Sequence, residues 1–147
     1  MPANTNDPFG AFNFLVEIDG VTKAAFMEVS GLGLEIDVIE YREGGDPSLG
    51  ARKLPGRIRY SNIVLKRGIT VDSSLWDWIK RVIDGAVLRA NMTITLLDDQ
   101  RQAVVRWNIK RAWPAKWTGP ALNAKSSEVA IESLEIAHEG LELAGSS

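Results

Sequence analysis

The stretch Met92–Lys110, MTITLLDDQRQAVVRWNIK, carries the clearest fold signal in the chain. Its first part sets Met92, Ile94 and Leu96 against Thr93, Thr95 and Leu97. Its second part sets Val105, Trp107 and Ile109 inward against Arg106, Asn108 and Lys110 outward. A period of two is the mark of a half-buried strand. Asp98–Arg101 lies between the two runs and supplies turn residues. The stretch is therefore expected to be an antiparallel hairpin with one apolar face.

The same alternation recurs on either side. Phe12, Phe14, Val16 and Ile18 share one face of an early strand, and Asp19–Gly20 closes it with a tight hairpin turn. Leu32, Leu34, Ile36 and Val38 alternate with Gly33, Glu35 and Asp37. Ile58–Lys66 is expected as one strand, with a bulge near Ser61–Asn62 where the phase slips. Glu128–Ile136 is expected as the last strand, with a phase change near Ser133.

One segment has helical spacing. Asp72 is the expected N-cap, and Leu75, Ile79, Val82, Ile83 and Ala86 form the apolar face, with Trp76 beside it. Asp77, Lys80, Arg81 and Asp84 fill the other side, and Gly85 ends the helix. One helix among six or more strands predicts a mainly β fold, a single domain over residues 1–147. Two packed antiparallel sheets or a small barrel, with a flanking α-helix, are the natural solutions. Met1–Pro8 is expected as a flexible lead and Ala144–Ser147 as a frayed tail.

Two segments break the pattern. Tyr41–Arg57, YREGGDPSLGARKLPGR, has four glycines, two prolines and both charge signs. It is read as a loop longer than an ordinary hairpin connection. It is either a mobile tip or an arm that orders on a neighbouring subunit. Trp113–Asn123, WPAKWTGPALN, is read as a stiff connection packed over one end of the barrel or as an interface.

Charge falls in blocks. Glu28–Asp46 has six acids and one base, and Ala51–Arg67 has six bases and no acid. Arg101–Lys116 has five bases and no acid, and Ser126–Ser147 has five acids and no base. Such blocks pair within the fold or between copies. The net charge of −2 argues against a dedicated nucleic-acid binder. The N-terminus has neither the basic nor the apolar region of a signal peptide, so synthesis in the cytoplasm is expected. No apolar run has the roughly 20 residues of a membrane-spanning helix.

Catalytic constellations are not found. The 147 residues include no cysteine and one histidine, His138, so thiolate and multi-histidine metal sites are excluded. His138 has no nucleophile elbow to serve. The acidic pairs lack calcium-loop spacing, and Glu43–Asp46 lacks the ending of a phosphate loop. The reading is a non-enzyme with no cofactor and no metal.

Long motifs then resemble one family. DPFGAFNFLVEIDG (7–20), FMEVSGLGLEIDVIEYREGG (26–45), RKLPGRIRYSNIVLKRGIT (52–70), LWDWIKRVIDG (75–85) and RWNIKRAWPAKWTGPALNAKSSEVAIESLEIAHEGLEL (106–143) resemble, in order, the tail tube proteins of contractile phages and phage-tail-like injection systems. The resemblance implies two packed antiparallel sheets, one helix and a long hairpin arm over residues 41–57. It implies homohexameric rings stacked into a hollow tube, the inner needle of a contractile particle. Implied partners are further copies of the chain, a surrounding sheath, baseplate and tube-terminator proteins, and a DNA or protein cargo sliding through the lumen. The particle would assemble in a bacterium and leave by lysis. Glu40, Arg42, Glu43, Asp46, Arg52, Lys53 and Arg57 are the expected inter-subunit contacts. Two other readings stay open: a paralogous tube-initiator ring at the baseplate, and a monomeric ligand-binding β-barrel.

Overall fold

The computed structural model describes residues 13–42, 44, 52–125 and 130–144. The expected lead 1–8, the middle of the 41–57 arm and residues 145–147 of the tail lie outside this set.

The chain is mainly β, as expected. Strands β1 (Asn13–Ile18) and β2 (Thr22–Phe26) form a hairpin, closed by Gly20 at φ 74°. Strands β3 (Glu28–Ser30), β4 (Leu34–Tyr41), β5 (Arg52–Tyr60) and β6 (Ile63–Gly68) follow. Helix α1 spans Ser74–Ile83. Strands β7 (Ala90–Leu97), β8 (Ala103–Thr118), β9 (Ile131–Ala137) and β10 (Gly140–Ala144) complete the chain.

Two antiparallel sheets share β8. The first runs β2-β1-β7-β8-β10, using the N-terminal half of β8. The second runs β3-β6-β9-β8, using its C-terminal half. The strand turns between sheets at Lys110–Arg111, where its pairing with β7 slips by one residue. Arg111 takes the left-handed conformation there (φ 53°), and its N–H is accepted by Asn91 Oδ1 at 3.2 Å. An extra residue in one strand bends it and sharpens its twist. The inner faces meet over Val16, Ile18, Ile63, Leu65, Met92, Ile94, Ile109, Leu134 and Ile136, all essentially inaccessible. The barrel is not closed.

Four sequence expectations are corrected. Ile58–Lys66 is not one bulged strand: the chain breaks at Ser61–Asn62, so β5 leaves the body and β6 enters it. The segment 41–57 is not wholly loop, because Tyr41 pairs with Arg52 and β5 extends through Arg57. Trp113–Asn123 is not wholly a connection, because β8 continues through Thr118 and only 119–123 lie outside it. Pro114 fits inside it beside a register shift, and a bulge is where a sheet tolerates the missing donor. The helix buries Leu75 and Trp78, while Ile83 stays exposed. Trp78 wins the inward position because its indole N–H finds the Leu88 carbonyl at 2.9 Å.

The expected cap is half right. Ser73 occupies the cap position, but Asp72 Oδ1 accepts the Ser74 backbone N–H at 3.0 Å. That N–H, then the Ser74 hydroxyl and Arg67, hold the Asp72 carboxyl below its usual 3.8, against the opposing effect of burial. Arg67 also bonds Glu132 at 2.6 Å, and Glu132 accepts the Trp117 indole N–H at 3.2 Å. This cluster, buried at Arg67 and Glu132, ties β6, β9, β8 and the approach to α1 together.

Two outcomes are expected. A carboxyl with a lowered folded-state pKa stabilises the fold fully above its unfolded value and loses that contribution as pH falls through the folded value. Asp72→Asn should therefore lower thermal stability at pH 7 and bring the pH 7 and pH 3 melting temperatures closer together. Gly31 sits at φ 86°, and an added Cβ would lie 2.0 Å from the Asn62 carbonyl oxygen. Gly20 also has positive φ but open space around it. Gly31→Ala should cost more than the roughly 1–2 kcal/mol of left-handed strain expected of Gly20→Ala, by urea denaturation of both.

Candidate assembly interface

Strands β4 and β5 pair with each other and with no other strand among the described residues. Gly31–Gly33 and Ser61–Asn62 form the root of this ribbon, with the Ser61 N–H donating to the Gly33 carbonyl at 3.1 Å. An isolated two-stranded ribbon is marginal in water.

Register fixes its faces. Leu34 opposes Tyr60, Ile36 opposes Ile58, and Val38 opposes Pro55, so an apolar stripe runs up one face. The slip between Ile36 and Val38 leaves an extra residue in β5 at Gly56–Arg57. Ile36, Val38 and Ile58 are 46%, 64% and 51% exposed, far above their strand counterparts in the core. The other face carries Glu35, Asp37 and Arg59, with Arg59 and Asp37 paired at 3.2 Å, and then Ile39 beside Leu54.

Five of the seven expected contact residues lie on this ribbon or at its end. Glu40 opposes Lys53, Arg52 opposes Tyr41, Arg57 sits at the bulge and Arg42 follows β4. All five are exposed. Glu43 and Asp46 lie outside the described residues. Sequence reasoning fixed on these charges and missed the apolar stripe beneath them. The signal was present as Leu34-x-Ile36-x-Val38, but alternation does not say whether the apolar face meets a core or a neighbour.

The charge blocks pair in part within the chain. The acidic run 28–46 lies against the basic run 51–67 through Glu28–Lys66 (3.6 Å) and Asp37–Arg59. The basic run 101–116 lies against the acidic run 126–147 through Lys110–Glu142 (3.6 Å) and Arg111–Glu139. Exposed pairs of this kind contribute about 0–1 kcal/mol each.

The first sheet has a second surface. On the side away from the core, register lines up Lys23, Glu17, Thr93, Asn108 and Glu142 in one row. The next row is Ala25, Leu15, Thr95, Arg106 and Ala144. This face has no aromatic side chain in either row, and both charge signs. Its outer strands, β2 and β10, each have one edge with no strand partner among the described residues. Unpaired edges are templates for another chain. On β10, Leu143 faces the core side yet is 66% exposed, beyond the reach of the second sheet.

A filled two-sheet body with free sheet edges and a protruding apolar ribbon defines a subunit of a larger β assembly. Residues 10–142 match the T4-like virus tail tube protein gp19 family, and the chain belongs to it. It is similar to a chain of the extracellular contractile injection system PVC sheath–tube complex in its extended state. That match has 29% identity over 95% of this chain and 93% of that one, and a TM-score of 0.80. A chain of the anti-feeding prophage baseplate matches at 26% identity over 99% and 98%, with a TM-score of 0.75. Hcp1 from Flavobacterium johnsoniae shares the fold at 15% identity over 90% and 95%, with a TM-score of 0.57. Comparison with curated protein sequences gives no match.

The stripe yields a direct test. Ile36→Lys with Ile58→Lys should leave the melting temperature of the unassembled chain within a few degrees, because both side chains are about half exposed on a ribbon that no other strand of the body pairs with among the described residues. The same pair should abolish sedimentable polymer. A large loss of stability in the unassembled chain would place the stripe in this chain's own core.

Proposed function

We propose that copies of this chain join edge to edge into closed six-membered rings, and that the rings stack into a hollow tube. The observation that carries the proposal is the ribbon with its bare apolar stripe, which another copy can cover. A cyclic ring needs two different complementary surfaces. The β2 edge and the β10 edge, with the overhanging Leu143, are two such surfaces on one sheet.

Lateral joining of that sheet gives its two faces different fates. The core face stays inside each subunit. The polar face then lines the lumen, with Glu17, Lys23, Thr93, Arg106, Asn108 and Glu142 on the wall. A wall with paired charges and no aromatic platform suits a cargo that must slide rather than stick. The ribbon reaches along the tube to the next ring, where Glu40, Arg42, Glu43, Asp46, Arg52, Lys53 and Arg57 contact the neighbour. The likeness to chains from a sheath–tube complex and a baseplate supports an outer sheath and end-capping proteins as partners. The role is mechanical: a needle and conduit inside a phage-tail-like particle, with no catalysis. The main tube is preferred over a monomeric ligand-binding barrel because the space between the sheets is filled by side chains.

The purified full chain should sediment as polymer, and negative-stain microscopy should show tubes of stacked rings. Persistent monomer across a wide concentration range would end the proposal. The chain lacks cysteine, so single-cysteine variants report cleanly. In tubes, a bulky maleimide should modify Lys80→Cys on α1 but not Asn108→Cys, whereas a small maleimide should modify both. Equal labelling of Asn108→Cys by the bulky reagent before and after assembly would remove that face from the lumen.

A further inference from the structure

Strand β6 has a bare apolar surface at each of its ends. Ile63, its first residue, follows directly on the ribbon root at Ser61–Asn62. Gly68, its last, lines an open cleft of about 440 Å³ with Phe26, Met27, Arg67, Thr70 and Asp72. A space of that size takes side chains rather than single waters. The antiparallel partner β3 runs the other way, so Glu28 stands toward the cleft and Ser30 toward the ribbon. Over six residues at about 3.3 Å each, the two ends of β6 lie roughly 17 Å apart.

The cleft has a fixed floor and an apolar rim. Arg67 on the floor is held by Glu132 and Asp72, and its guanidinium carbon lies 5.4 Å from the centre of the Phe26 ring. On the rim, Met27 is 57% exposed, Ile69 is 56% exposed and Val71 projects fully into solvent. Scattered exposed apolar residues are ordinary, but three beside one cleft mark an interaction site. Charge complements the ribbon. Residues 68–79 carry Asp72 and Asp77, both exposed, and no base. Beyond its stripe the ribbon sets Arg42, Arg52, Lys53 and Arg57 against Glu40 among the described residues.

Ribbon and cleft stand at opposite ends of one strand pair, so a head-to-tail contact between two copies covers both. Such a contact is heterologous, and where it does not close it builds a filament. We propose that this cleft receives the ribbon of a neighbouring copy stacked along the tube. The stripe of Leu34, Ile36, Val38 and Ile58 covers Met27, Ile69 and Val71, and the basic end of the ribbon meets Asp72 and Asp77. Strand β5, at nine residues, spans roughly 26 Å, longer than the strand pair it must pass. The assignment deepens the stacking reading above and rests on it.

The test uses the full chain, which has no native cysteine. Ile36→Cys or Val38→Cys is combined with Val71→Cys. A short bismaleimide is applied to sedimented polymer and, separately, to dilute unassembled chain. Polymer of the double variants should give a ladder of dimers, trimers and longer species, because the contact repeats without closing. Each single variant should stay monomeric on the gel. A link formed inside one dilute chain would mean that the ribbon folds onto its own cleft. Dimers from a single variant would mean that ribbon meets ribbon or cleft meets cleft. Either result overturns the receptor. So do tubes that show no ladder with either pair, a result that leaves the tube reading standing. Wild-type chain that never forms tubes removes the tube reading itself, and the receptor with it. Should the cysteine variants assemble poorly, Val71→Lys decides. Its side chain is already in water, so the melting temperature of the unassembled chain should hold, while the concentration needed for polymer should rise about ten-fold or more. Val71→Ile should assemble as the wild type does. An unchanged concentration in Val71→Lys would overturn the receptor.

Discussion

Strand β8 belongs to both sheets, and the rest of the molecule depends on how it bends. One extra residue at Lys110–Arg111, taken up by a left-handed Arg111 and bonded to Asn91, carries the strand from the first sheet into the second. Strands β9 and β10 bend with it. Gly140 pairs with Lys110 and Ala137 with Trp113 in unbroken register across the corner. Both inner faces then close over a single core, and the outer face of the first sheet is left bare. The bend thus makes the body self-sufficient while leaving the β2 and β10 edges unpaired.

The energies divide accordingly. Within the body, burial of branched apolar side chains does most of the stabilising, at about 25 cal/mol per Å² removed from water. The Arg67–Glu132–Trp117 cluster fixes how β6, β8 and β9 sit together, and its members stay satisfied because each buried polar atom has a partner. In the ribbon the balance is reversed. Backbone pairing orders two strands, but Leu34, Ile36, Val38 and Ile58 remain in water. Among the described residues no other strand packs onto this stripe.

The charge blocks meet in part inside one copy, one of the two outcomes their sequence allows. Four ion pairs join acidic to basic runs, while Glu40, Arg42, Arg52, Lys53 and Arg57 stay exposed on and beside the ribbon.

The strand content, the one helix among the described residues with its glycine stop, and the hairpin at Asp98–Arg101 were all legible from residues alone. Each depends on neighbours one to four positions apart, and local sterics and turn chemistry settle them. What covers each face was not legible. Leu34-Ile36-Val38 and Met92-Ile94-Leu96 alternate alike, yet one stripe is bare and the other largely sealed, because only packing between distant segments assigns a cover. Trp78 rather than Ile83 faces inward because the Leu88 carbonyl waits for its indole N–H. The break at Ser61–Asn62 and the passage of β8 through Pro114 likewise follow from which sheet each half joins. Periodicity tells a strand that it has two sides, and only the tertiary fold decides what lies against them.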